Sequence, residues 1–316
     1  MDFRRAAAIS LIGLLLLVPA GCGGRSESDT LRIGVLPILD TLPMYVAEQE
    51  GAFERHGVGV EFIPAASAAE RDQLVQTGNV DGIITDLVAM ALYNRDAPRM
   101  IAVRYAMTPT PDFAQFRVMA SRQSRVSRAE ELAGVHIGIS EGTVIEYVTD
   151  RMLEAEGLLP HQIETLAVPK IPDRMALLRS GELVAATLPE PLASLVLQEG
   201  ARVVVDDRDH LSTSCSVYAF RQETVEDQPE AVRGFLTAVS EASQAINEDK
   251  TRWSELLAEK NLVPQPLIGS YELPDYPGDR PPTEAQFTDV VVWLQETGRL
   301  LEGPSYANAV DATFLP

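Results

Sequence analysis

The sequence predicts an α/β fold of two doubly wound sheets joined by two crossing strands. Three observations predict it. Short apolar runs alternate with helical patterns from residue 31 to 106, and the same alternation resumes at 135. Two isolated extended runs, at 116–120 and 216–220, link these units to each other and to a helical C-terminal third. Alternating strands and helices give a mainly parallel sheet with helices on both faces.

The elements follow in order. Residues 31–36 (LRIGVL) read as a strand. Asp40 and Thr41 then open a helix with Pro43 in its first turn and Gly51 as its stop. A strand at 58–63 precedes a helix at 67–77, closed by Gly78. The strand 80–85 leads to Asp86, an N-cap candidate for a helix reaching Tyr93, and 100–106 is a further strand. In the second unit the strands are 135–140, 165–168, 184–188 and 201–205, and the helices 143–156, 173–180 and 191–198. The C-terminal third has a long helix at 228–247, with Val232, Phe235, Leu236, Val239 and Ile246 at helical spacing. A second helix carries Trp253, Leu256 and Leu257, and a third spans 283–297 after a Pro-rich loop. The two crossings imply that the C-terminal part returns to the first lobe. The expected division is 31–118 with 219–316 for lobe 1, and 119–218 for lobe 2.

The first 21 residues are a targeting segment. Arg4 and Arg5 precede an apolar stretch from Ala6 to Val18, and Pro19, Ala20 and Gly21 lead into Cys22. This is a secretory signal, too short for a comfortable membrane span. Residues 22–30 are small and polar and read as a tether. The small residues ending on Cys22 resemble a bacterial lipoprotein signal. That resemblance implies acylation of Cys22, a palmitate-type lipid anchor and an extracytoplasmic location. Pro19 stands where that family usually has Leu, and ordinary signal cleavage with Cys22 incidental is the alternative.

Composition narrows the function. The chain has 316 residues, 46% of them hydrophobic and 23% charged, and its 26 Lys and Arg against 46 Asp and Glu give a net charge of −20. Length suggests two domains, and the composition excludes global disorder. The charge argues against nucleic acid and against docking on anionic lipid. Two cysteines make neither a disulfide framework nor a zinc ribbon. The four histidines lack metal-ligand spacing, and no nucleophile elbow, phosphate loop or dinucleotide fingerprint is present. No catalytic residue, metal or cofactor is expected.

The run GVLPILDTLPMYVAEQEGAFERHGVGVEF, at 34–62, resembles the start of solute-binding proteins of the thiamine-precursor, sulfonate, nitrate and taurine family. Gly78 to Asp81, the SEGT loop at 140–143, the LPEP loop at 188–191 and the closing WLQETGRL at 293–300 match further family stretches in order. The resemblance implies the two-lobed type II periplasmic binding protein fold. It also implies a ligand in the cleft, closure by hinge motion and an ABC transporter permease as partner.

In open α/β sheets ligands sit beyond the carboxyl ends of the strands, where helix N-termini point. That rule selects Asp40, Thr41, Ser67, Asp86, Glu141, Thr143 and Glu190 as ligand-binding candidates. Tyr45, one turn into its helix, is a candidate for stacking, and Arg104 for gripping an anion. Each has a structural alternative. Asp40, Ser67, Asp86 and Thr143 are good N-caps, a role worth about 1 kcal/mol. Tyr45 could simply pack, Arg104 could neutralise Asp86, and Glu190 suits a helix first turn.

Two function classes result: a monomeric receptor delivering a small molecule to an importer, and a biosynthetic enzyme on the same fold. The signal segment favours the receptor. Several carboxylates at the loops, with Arg104 the one obvious cation, point to a cationic or hydrogen-bond-donating ligand. A thiamine-pyrimidine precursor or similar N-heterocycle is the first expectation, and a sulfonate- or nitrate-type anion the alternative.

Overall fold

A computed structural model describes residues 30–316. The signal segment, Cys22 and nearly all of the tether lie outside the described residues. The first unit runs β1 (Thr30–Val35), α1 (Leu42–Gln49), α2 (Ala52–Arg55), β2 (Gly59–Pro64), α3 (Ala68–Gln76), β3 (Gly82–Asp86), α4 (Leu87–Tyr93) and β4 (Met100–Met107). The second runs β5 (Phe116–Ala120), β6 (His136–Ile139), α5 (Val144–Ala155), β7 (Glu164–Ala167), α6 (Ile171–Ser180), β8 (Ala185–Pro189), α7 (Leu192–Gln198) and β9 (Arg202–Asp206). Then come β10 (Ser216–Arg221), α8 (Gln222–Asp227), α9 (Pro229–Glu248), α10 (Ser254–Glu259) and α11 (Glu284–Glu296).

Two five-stranded sheets result, ordered β2-β1-β3-β10-β4 and β7-β6-β8-β5-β9. Each is parallel except for one inserted strand. β10 runs antiparallel between β3 and β4, and β5 antiparallel between β8 and β9. The expected divisions at 118/119 and 218/219 fall inside these two strands. Each is paired along its length within one sheet, so the segments passing between sheets are 108–115 and 207–215.

Alternation along each strand sends side chains to opposite faces. On β10, Tyr218 and Phe220 enter a core with β1, α1, α2, α9 and α10, while Val217 and Ala219 enter a second core on the other face. α9 docks closely because Gly234 faces the His56 carbonyl, where a Cβ would lie 2.7 Å away. The second core is continuous between the sheets. It joins Val88 and Met90 of α4, Tyr147 and Val148 of α5, and Phe287, Val290 and Trp293 of α11. A third core fills the outer face of the second sheet beneath α6 and α7.

α11 is tied to α5 by polar contacts too. Asp289 accepts from the Tyr147 hydroxyl at 2.7 Å and from Arg151 Nε at 3.1 Å. Trp293 donates to Asp150 at 2.8 Å. The two passages between the sheets are tied by one buried carboxylate. Asp207 accepts from the backbone N–H groups of Gln115 (2.8 Å) and Phe116 (3.1 Å) and from the Ser214 hydroxyl. Among the described residues no helix is long and apolar enough to cross a membrane.

Candidate functional site

The loops that follow the parallel strands of both sheets carry most of the sequence candidates, which divide into groups. Asp40 sits in a single 3-10 turn after β1, 9% exposed. Burial pushes its carboxyl up, and the Ser216 hydroxyl lies beside it without completing a hydrogen bond of good geometry. Tyr218 and Tyr276 are buried nearby, and the Tyr218 hydroxyl also lacks a partner among the described residues. Thr41 turns inward and donates to the Ile38 carbonyl at 2.6 Å.

Glu190, from the second lobe, reaches the same centre. It follows β8, with its side chain 2% exposed. Burial raises its pKa, opposed by Arg117, whose Nε stands 3.0 Å from Oε1 but off hydrogen-bond alignment. Tyr271, packed against the first lobe's core, points its hydroxyl at Glu190 Oε2 from 3.3 Å. The Tyr271 phenol feels the charges of Glu190, Arg117 and Asp40 together. Asp40 and Glu190 are therefore brought into one polar centre.

Asp86 caps α4, its Oδ1 accepting from Ala89 N at 2.9 Å. Burial raises its pKa and Arg71 opposes the rise. The cation that neutralises Asp86 is thus Arg71, whose buried guanidinium also contacts Asp72 at 2.8 Å. Arg104 goes elsewhere. It is 1% exposed and pairs with Asp279 at 2.7 Å and the Pro277 carbonyl at 2.9 Å, fixing the Pro-rich loop to β4.

The remaining candidates take local roles. Ser67 is exposed and caps α3 through Glu70 N at 3.2 Å. Thr143 caps α5 through Ile145 N at 3.2 Å and donates to the Ser140 carbonyl at 2.7 Å. Glu141 is exposed, 3.7 Å from Arg299. The Tyr45 ring packs edge-on to Phe62 at 5.2 Å, with the Lys260 ammonium 5.0 Å from its centroid. Cys215 is buried beside Asp86, and burial pushes its thiol up, which keeps it protonated and unreactive.

Sequence reasoning missed Arg71, Arg117, Arg174, Tyr271 and Tyr276. Arg174 of α6 is wholly buried, and its Nη1 donates to Ser140 Oγ at 2.9 Å and to the Val168 carbonyl at 3.1 Å. Arg71 and Arg174 lie within helices, Arg117 within β5, and Tyr271 and Tyr276 in the segment between α10 and α11, away from the strand-end loops. One signal was available: Arg71 and Arg174 hold matching places in the two units that begin RIGVL and HIGIS.

Comparison with known proteins agrees with this architecture. A 292-residue alignment gives 23% identity to a putative aliphatic sulfonates-binding protein of Escherichia coli strain K12, covering 89% of this chain and 85% of the relative. The solved periplasmic aliphatic sulphonate binding protein of Escherichia coli superposes with a TM-score of 0.75 at 19% identity, over 90% of this chain and 92% of that one. The alkanesulfonate-binding protein of Xanthomonas axonopodis pv. citri, bound to MOPS, superposes with a TM-score of 0.71 at 16% identity, over 91% and 99%. The two-lobed periplasmic binding protein fold is thereby shared. The NMT1-like family model matches residues 24–258, most of the chain from the tether through both sheets and into the C-terminal helices. With that match added to the strand order, the chain belongs to the NMT1-like family.

Proposed function

We propose that the protein is an extracytoplasmic receptor that binds a small organic solute between its lobes and delivers it to an ABC importer. The observation that carries this reading is the polar centre shared by both lobes, where Glu190 and Tyr271 face each other. Such a centre is made or broken by hinge motion through 108–115 and 207–215. Lipid anchoring at Cys22 and a monomeric state complete the proposal.

For the ligand we favour an organic anion of the sulfonate type. Three of the four acids that pointed to a cation already face a guanidinium: Asp86 faces Arg71, Glu190 faces Arg117 and Glu141 faces Arg299. The relatives' names support the same class. A thiamine-pyrimidine precursor or similar N-heterocycle is the second reading. Asp40 favours it, being a buried carboxylate that no cation pairs with among the described residues.

The test is a panel of ethanesulfonate, nitrate and an aminopyrimidine against the purified mature chain. A true ligand at about 100 times its dissociation constant adds roughly 2.7 kcal/mol of stability. Small-angle scattering is expected to show a more compact particle with it. Recovery of the ligand unaltered supports a receptor, whereas its conversion without added enzyme supports the enzyme class.

A further inference from the structure

The two units share one plan, strand–helix–strand–helix–strand, and α3 and α6 occupy the same step in it. Arg71 is the fourth residue of α3 and Arg174 the fourth of α6. Both are buried, at 6% and 0% exposure. Their charges meet opposite fates. Arg71 contacts Asp72 Oδ1 through Nη2 at 2.8 Å and Nε at 3.0 Å, and it lies in the field of Asp86. Arg174 has no carboxylate partner among the described residues.

The stem of Arg174 lies over β6 at Gly138, where a Cβ would meet its Cγ at 3.2 Å. Its Nη1 is held by Ser140 and Val168, whereas Nε and Nη2 have no hydrogen-bond partner among the described residues. Those two nitrogens form one edge of the guanidinium. That edge presents parallel N–H groups at the spacing of two oxygens of one oxyanion. Burial without a counter-charge lowers its pKa to about 10, so it stays cationic at neutral pH. An uncompensated buried charge is costly, and a bound anion relieves that cost.

We propose that Arg174 is the anion-selecting residue of the solute site, taking a sulfonate-type head group on the second lobe. Arg71, its neutralised counterpart, leaves the first lobe to the rest of the ligand. The inference rests on the receptor reading with an anionic solute.

Calorimetry on the full mature chain with ethanesulfonate tests it, with the uncharged ethanesulfonamide as comparison. Wild type binds the sulfonate more tightly than the sulfonamide. Arg174→Gln weakens the sulfonate by roughly 10- to 100-fold, and Arg174→Lys by less. Unchanged affinity in Arg174→Gln, or an equal loss in Arg71→Gln, overturns the inference and leaves the receptor reading standing. A wild type that binds neither sulfonate nor nitrate overturns the anionic reading and this inference with it. A co-crystal of wild type with ethanesulfonate needs no variant. Sulfonate oxygens within hydrogen-bond reach of Arg174 Nε and Nη2 are expected, and a sulfonate seated on the first lobe overturns the assignment.

Discussion

At Asp207, three donors converge on two carboxylate oxygens, and no cation pairs with the group among the described residues. Burial raises its pKa to about 7, against the pull of those hydrogen bonds, and the neighbouring Asp206, paired with Arg208, adds to the rise. The folded protein therefore holds this proton more tightly than the unfolded chain does. Its contribution to stability is complete below the ordinary carboxyl value of 3.8 and is lost as pH rises to about 7. Thermal unfolding followed from pH 4 to 8 is expected to show that decline, and Asp207→Asn to flatten it. The variant also turns an amide N–H toward backbone donors, at a cost of about 1–3 kcal/mol. Equal pH profiles for both proteins would sink this account. Residues of this kind were illegible in the sequence. Asp40, Asp86 and Glu190 could be picked because they stand where strands meet helices. Nothing local marks Asp207 as the acceptor for two N–H groups about ninety residues upstream, or Tyr271 as the partner of Glu190.

Secondary structure was far more legible, because burial periodicity and capping are local. Ser67, Asp86 and Thr143 cap the helices they were expected to open. The direction of β5 and β10 was not legible, since a five- or six-residue apolar run reads the same either way along a sheet. α8 was missed because its six residues show no amphipathic repeat. α11 was read as a closing helix of the first lobe, yet its polar face holds α5 of the second. Asp289→Ala removes the acceptor of the Tyr147 hydroxyl, whose residue is only 2% exposed. Loss of about 1 kcal/mol in urea unfolding is expected, with less than additive loss on combining it with Tyr147→Phe. Full additivity would mean that the Tyr147–Asp289 hydrogen bond adds nothing of its own to the joint between the helices.

For the whole molecule, the proposed anchor puts location in residues before the first strand. Two acyl chains on Cys22 would hold the protein at a bilayer, at about 0.8 kcal/mol per buried CH₂. Cys22→Ala is expected to free it into the soluble fraction or leave an uncleaved precursor. A wild type that is wholly soluble and lacks added lipid mass would falsify the anchor. The inserted strands have a consequence for assembly. Among the described residues β4 pairs with no strand but β10, which is made after the entire second lobe, and its isolated bridge to Val310 comes later still. As the chain emerges from its N-terminus, β4 waits more than one hundred residues for a partner, while every strand of the second sheet, from β5 to β9, comes from one contiguous stretch. The lobe whose strands come later in the chain is therefore the one whose sheet can close first, and the sheet begun first is completed last.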